Sequence, residues 1–578
     1  MAQPTTSEMS RIQAACQGIR RVPSGGIGEC RTSKLNSRLI MPAPRIAIRN
    51  LDHLGLVAGL CQELDIARMI DAVLPKNQSF KVSHGQALVA MIINGLGFHS
   101  STLHLFPRFF ANKPVERLIG PGLCADDLND DVLGRCLDAL FAADVSTLYQ
   151  VMAEQVVAKL GLKPTAVHLD ITSFHVDGAY DCADGEQTGR LQLVRGYSRD
   201  HRPELNQVIL ELICENQAGL PVYLQALSGN SNDNSAFRET VKRHLRSLKS
   251  AQESRYLVGD AALYCAETLH LLHHQRQLFI TRVPRTLTEA RNAVAAIGEA
   301  PLTALGDGYQ GRWLDADYAD VPQRWLLVRS EKANHAEQKT LAKHLLGDST
   351  RELKAFTKLC ARRFACQADA EAELARFANG LKLLEIVQGH VLTEPVYASA
   401  GRPKSGQQPD SYQYRIEGQA ATCLERVEEA NAQTGVFILA TNDLSGTLTM
   451  AELLATYKAQ QTVERGFRFL KSPEFLTSSL YLKKPERIEA LLMVMTCSLM
   501  IYAALEHRIR KGLVAQGRSV PDMKKKPTQK PTARWIFLCF GGIHEYSLGG
   551  EPAQVTDINT VQETIIDVLG PRYRQIYS

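Results

Sequence analysis

At 578 residues the chain is too long for one compact core, and two to four domains are expected. A composition of 45% hydrophobic and 22% charged residues excludes a wholly disordered or fibrous protein, and the longest apolar run, Ala490 to Leu505, is short for a membrane span. The net charge of +5 is small but gathers at the ends: eight Lys/Arg face two acids before residue 50, and nine basic residues face Asp522 alone between Arg508 and Arg534, which points to a polyanion partner.

Thirteen cysteines without a Cys-x-x-Cys pair exclude a zinc-finger or disulfide framework and fit the reduced thiols of a cytoplasm. The N-terminus has no apolar h-region, so no secretory signal is expected. Residues 1–45, rich in Ser, Gly, Gln and Arg, lack periodicity and read as a disordered basic tail. From 46 to 160 apolar residues recur at i, i+3 and i+4, with Leu74-Pro75 and Gly120-Pro121-Gly122 as breakers and Asp130-Asp131 as an acidic first turn. This predicts a small all-α domain, and its position suggests binding of DNA ends.

At Pro164 the period switches to that of a strand. Thr165–Phe174 is β-branched, apolar and short, with Asp170 in its middle. A buried ionised Asp needs a partner, so Asp170 is a candidate metal ligand or catalytic acid, or else a capping residue. Strands are predicted at Asn206–Cys214 and Pro221–Leu227. The loop between the first two strands, Arg195–Arg202, carries Arg199 and Arg202; it suits phosphate contact or is a plain solvated hairpin. A helix at Ser235–Leu248, a strand Tyr256–Asp260, a helix Ala266–Gln277 and a strand Leu278–Val283 follow. Asp260 thus sits at a strand's C-terminal end before a helix, where open α/β sheets place their chemistry. This order is that of a ribonuclease-H-like mixed sheet, in which Asp170 and Asp260 would lie side by side. The first part of that core is taken as 161–284, an inserted α+β domain as 285–435, the core's second part as 436–510, and a basic C-terminal segment as 511–578.

Thr449 and Glu452 form a capping box for one helix expected to run through Tyr457–Lys471. At roughly 100° per residue, Tyr457, Gln460, Glu464, Arg468 and Lys471 share one face. Glu464 could hold a metal there while Arg468 and Lys471 hold a phosphate, or the face could be solvated and laced with i,i+4 charge pairs.

With Asp170, Asp260 and Glu464 in this order, and Tyr457 and Lys471 each seven residues from the Glu, the chain resembles the DDE transposases of bacterial insertion sequences. It is most similar to the insertion-sequence-four-like group and its sixteen-thirty-four relatives. The family signature on that helix has Arg where this sequence has Gln460, and Arg465 or Arg468 would be its replacement. The resemblance implies an α/β, ribonuclease-H-like catalytic core with an inserted domain and an N-terminal helical domain. It further implies two Mg²⁺ (or Mn²⁺) ions on the three acids. Cut-and-paste cleavage and strand transfer on double-stranded DNA, phosphate contacts from Tyr457 and Lys471, and a homodimer at synapsis would follow, in a bacterial cytoplasm without a membrane role. A ribonuclease-H-like nuclease without strand transfer and an inactive, domesticated DNA-binding protein share these features.

Overall fold

The computed structural model describes residues 46–74, 79–98, 102–176, 191–197, 202–231, 235–242, 255–398, 407–472, 482, 484–548 and 552–578. The predicted tail 1–45 lies outside them.

The N-terminal region is helical as its periodicity predicts. It holds α1 (Leu54–Glu63), α2 (Ile66–Val73), α3 (His84–Gly95), α4 (Asp130–Ala142) and α5 (Val145–Leu160). Local chemistry sets the starts. Ser83 and Gln86 form a reciprocal capping box on α3, and the Asn129 side chain accepts from the Val132 N–H at the head of α4.

The region opens on a strand, β1 (Ile46–Asn50), which pairs antiparallel with His544–Leu548. The C-terminal segment is therefore folded onto the N-terminal helices. The Tyr577 hydroxyl donates to the Asp52 carbonyl at 2.6 Å and accepts from the Leu56 N–H at 3.1 Å. Arg117 donates to Glu545 at 2.6 Å and to the Ile576 carbonyl at 2.8 Å. A Cβ on Gly55 or Gly59 would come within 2.8 Å of Ile576, Tyr577 or Tyr573, so glycine lets the two ends of the chain meet. Pairing across nearly the whole chain leaves no local sequence signal.

The main sheet has nine strands. Its first five are β2 (Ala166–Val176), β3 (Asn206–Glu215), β4 (Pro221–Ser228), β5 (Tyr256–Gly259) and β6 (Leu278–Arg282), with α6 (Ala266–His274) between the last two. They stand in the order β4-β3-β2-β5-β6, with β2, β3 and β4 antiparallel in turn and β2, β5 and β6 parallel. This is the ribonuclease-H-like arrangement expected. The predicted helix at 235–248 is helical over its described part, 235–242.

The boundary drawn at 285 needs correction. Residues 303–330 do not leave the sheet: β7 (Thr303–Gly306), β8 (Tyr309–Tyr318) and β9 (Val321–Ser330) form its far edge. What stands apart is α7 (Glu331–Cys360), α8 (Gln367–Gly380) and the hairpin β10 (Leu384–Val396) and β11 (Ser411–Thr422), around a small core of Phe356, Leu359, Ala370 and Ile416. Then β12 (Val436–Thr441) slots between β6 and β9. An apolar run marks β9 as a strand but does not name a partner that follows only after the insertion.

Three helices follow: α9 (Met450–Lys458), α10 (Gln461–Leu470) and α11 (Pro485–Ala515). α11 carries the apolar run 490–505. By length and composition it could cross a membrane, but most of that stretch is buried, packed on α1, α3, α4, α5 and β4. One continuous core joins it to the N-terminal helices, one face of the sheet and the C-terminal segment.

Candidate active site

The sheet register gathers the first two acids. On parallel β2 and β5, His168 lies beside Val258. Asp170 stands two residues past that pair on β2, and Asp260 two residues past it, just beyond the end of β5. On β5 and β6, Gly259 lies beside Thr281, and Asp260 and Arg282 are the next residue on each chain segment. Asp170, Asp260 and Arg282 therefore lie just past the paired stretches of the three neighbouring parallel strands β2, β5 and β6.

Each carboxylate is held locally. Asp170 is only 8% exposed, and its Oδ1 accepts from the Ile171 N–H at 2.8 Å. Asp260 caps the short turn Ala261–Leu263: its Oδ1 accepts from the Ala262 N–H at 2.9 Å, and its carbonyl accepts from the Thr281 hydroxyl at 2.7 Å. A Cβ on Gly259 would stand 3.1 Å from the Leu263 side chain, which explains the Gly-Asp pair at the strand end.

The third acid arrives on a broken helix. The capping box of Thr449 and Glu452 starts α9 as predicted. The expected single helix then divides at Ala459-Gln460. The Gln460 N–H donates to the Tyr457 carbonyl three residues back, and the regular ladder resumes with Glu464 N–H to the Gln460 carbonyl at 3.2 Å. α10 packs on β2 with Val463, Phe467 and Leu470 buried, leaving Glu464, Arg465 and Arg468 exposed. Gln460 is buried where Glu464 is exposed. It is 6% exposed, and its Oε1 has no hydrogen-bond partner among the described residues. A uniform 100° per residue cannot anticipate a break in the helix.

Tyr457 reports how the groups stand. Burial, above all, pushes its hydroxyl up to about 12; the charges of Asp260, Glu464 and Asp170 push the same way, and Arg282 opposes them. All three acids and Arg282 thus act on one half-buried phenol. Lys471 Nζ lies 5.6 Å from the centre of the Phe174 ring. Side chains alternate along a strand, so Phe174 shares a face of β2 with Asp170.

The remaining basic candidates divide. Arg465 lines a groove with Phe469, Tyr502, Glu506 and Thr532. Arg468 is exposed on α10. Arg202 is ion-paired with Glu204, and Arg199 lies outside the described residues. The residue before that loop, Val194, bridges to Gln207 at the start of β3, on the side of β3 away from His175 of β2. The Gln207 amide donates to the carbonyls of Tyr197 at 3.1 Å and Gly229 at 2.7 Å.

Sequence reasoning missed Arg282. The signal was there: Tyr256-Leu-Val-Gly-Asp and Leu278-Phe-Ile-Thr-Arg are matching short apolar strands, each ending in a charge. Hard carboxylate oxygens on adjacent strands are the donors a cation such as Mg²⁺ takes. Among the described residues, no group of three or more His, Cys, Asp and Glu side chains is placed to hold a metal ion. The backbone gathers three acids, but the side chains do not close on one point.

Residues 162–501 match the family model described as a transposase DDE domain. Residues 46–154 match a domain of unknown function (DUF4277). No curated protein matches the chain. Among solved structures it is similar to one titled "Cryo-EM structure of piggyBac transposase synaptic complex with hairpin DNA (SNHP)". The identity is 11%, over 92% of this chain and 88% of that one, with a TM-score of 0.36, too distant to carry an assignment.

Proposed function

This chain belongs to the DDE-domain transposases, and on that premise we propose that Asp170, Asp260 and Glu464 are its catalytic acids, acting at the two ends of a bacterial insertion sequence in a cut-and-paste reaction. The observation that carries the reading is that Asp170 and Asp260 both lie just past the same end of the β2–β5 pairing, with Tyr457 in the field of both and of Glu464.

The donor set is all oxygen and fits hard divalent cations, so Asp170, Asp260 and Glu464 would hold Mg²⁺ or Mn²⁺, two ions by family resemblance. When bound, such ions activate an attacking water or 3′-hydroxyl and stabilise the leaving oxygen. The chain's own groups do the rest. The hydrogen bonds to Asp170 and Asp260 hold each carboxylate in one orientation. With its pKa near 12, the Tyr457 hydroxyl stays protonated at neutral pH and can donate to a phosphate oxygen. Arg282 and Lys471 supply positive charge on either side of the acids for the DNA backbone. Arg468, exposed on α10, can do the same.

Bringing two ends together calls for two copies of the chain in the synaptic complex. The free state of every cysteine among the described residues supports work in a reducing cytoplasm.

The test uses the purified full-length protein, Mg²⁺ and a linear duplex carrying the element's ends. Asp170→Asn, Asp260→Asn and Glu464→Gln should each abolish cleavage while sparing DNA binding. Mg²⁺-dependent cleavage surviving in any one of them would remove that residue from the site. Cleavage without joining to a target duplex would show a nuclease rather than a strand transferase.

A further inference from the structure

The basic segment from Arg508 to Arg534, which begins in the last turns of α11, is not consumed by the site described above, and the structure divides it in two. Three of its arginines are internal fasteners: Arg508 pairs with Glu63 at 2.6 Å, Arg510 with Glu506 at 2.6 Å and Arg518 with Asp567 at 3.1 Å. Lys524, Lys525 and Lys526 are different. They lie exposed and consecutive at the tip of a two-stranded hairpin whose arms are Val520–Pro521 and Pro527–Thr528. None of the three has a carboxylate partner among the described residues.

The tip is built to hold this shape. Asp522 is the only acid between Arg508 and Arg534. Its Oδ1 accepts from the backbone N–H groups of Lys524 and Lys526, both at 2.8 Å, rather than from a lysine ammonium. The Asp522 N–H donates to the Lys526 carbonyl at 2.8 Å, closing the turn around Lys525 at φ +61°. Below, the Trp535 indole donates to the Pro521 carbonyl at 2.7 Å, and the Gln529 amide to the Arg518 carbonyl at 3.1 Å. Three like charges are thus fixed side by side, an arrangement a polyanion relieves by displacing its own counterions. At the crest, Met523 is 78% exposed. A large apolar side chain left in water just before the three lysines has no packing role; against DNA it can enter a groove and wedge a base step.

The hairpin also leads into a groove beside α10. Thr532, just after it, lines the same groove as Arg465, the neighbour of Glu464. We propose that the hairpin at 520–528 is a DNA-binding wing, with Lys524, Lys525 and Lys526 on backbone phosphates of a duplex and Met523 in its groove. The proposal rests on the transposase reading, which makes DNA the polyanion.

The experiment is a salt titration of full-length protein binding to a labelled linear duplex. Replacing all three lysines (Lys524→Gln, Lys525→Gln, Lys526→Gln) should reduce the slope of log affinity against log salt by about two to three units, at roughly 0.9 per phosphate contact. Lys525→Gln alone should remove about one unit, so the result does not depend on the triple variant folding normally. Met523→Ala should weaken binding with the slope unchanged. Wild-type affinity and slope in both lysine variants would overturn the wing, and wild-type affinity in Met523→Ala would overturn the groove contact. If the unaltered protein bound no DNA, the transposase reading itself would fail. Binding that survives Asp170→Asn but weakens in the lysine variants separates the two.

Discussion

Gln460 is where the sequence departs from the family signature, and the structure turns the expectation there around. On an unbroken helix its side chain would face the DNA beside Glu464, and Gln460→Arg would restore a phosphate contact. Instead the side chain is buried and its Oε1 is unpartnered. A buried acceptor left without a hydrogen bond costs about 1–3 kcal/mol. Gln460→Met keeps the length, removes that oxygen and should raise stability by up to that amount. No cap is lost, because Gln460 heads α10 without a side-chain capping bond. Gln460→Arg buries an unpaired charge, which costs several kcal/mol. The assay is denaturant unfolding of both variants beside end cleavage at fixed protein and salt. The expected order of midpoints is Met above wild type above Arg, with the Met variant cleaving at the wild-type rate. An Arg variant as stable as wild type, with tighter end binding, would show that position 460 opens onto phosphate and would refute the reasoning.

The remaining predictions follow from groups near the same sheet. His168 stands two residues before Asp170 with both ring nitrogens unpartnered, and burial lowers its pKa from 6.5 to about 4. Its neutral form is the folded one, so its stability contribution is present above pH 6.5 and lost as the pH falls through 4, about 3 kcal/mol in all. His168→Leu should remove that much of the acid destabilisation between pH 7 and 4, and an unchanged pH profile of unfolding would contradict it. Arg282→Ala and Lys471→Ala should each lower the salt slope of end binding by about one unit. A slope unchanged by either would take that residue off the DNA path.

How much of this was legible in the sequence depended on how local each feature is. The runs that became β2, β5 and β6, the Gly-Asp at the end of β5, and the capping box of Thr449 and Glu452 are each decided by neighbours a few residues away, and all stood where expected. What failed was pairing and continuity. β1 closes on a strand near the far end of the chain, and β12 inserts between β6 and β9 only after the inserted helices and hairpin have been made. Residues 303–330 were assigned to the insertion because an apolar strand does not say which sheet it joins. Arg282 was overlooked because its place beside Asp260 comes from a register, and register is a property of two strands.

The three acids are not held alike. β2, bonded to a strand on each side, fixes Asp170, and the turn after β5 fixes Asp260 through Ala262 and Thr281. Glu464 lies on a ten-residue helix just after a break, and the packing of that helix determines where its carboxylate stands. Val463, Phe467 and Leu470 seat α10, each worth about 1.5–3 kcal/mol if fully buried. Against α11 the fit is close at Gly466, where a Cβ would meet Leu499 at 3.1 Å. At the helix end it is loose, because Phe469 and Leu470 border an apolar cavity shared with Met91 and Met495. α11 also packs on the N-terminal helices and on Thr560–Leu569, so the two ends of the chain and the helix bearing Glu464 rest on one element. A displacement of α11 would carry Glu464 with it and leave Asp170 and Asp260 where the sheet put them. Two of the acids thus belong to the sheet, and the third to a helix whose place is set by its packing on β2 and α11.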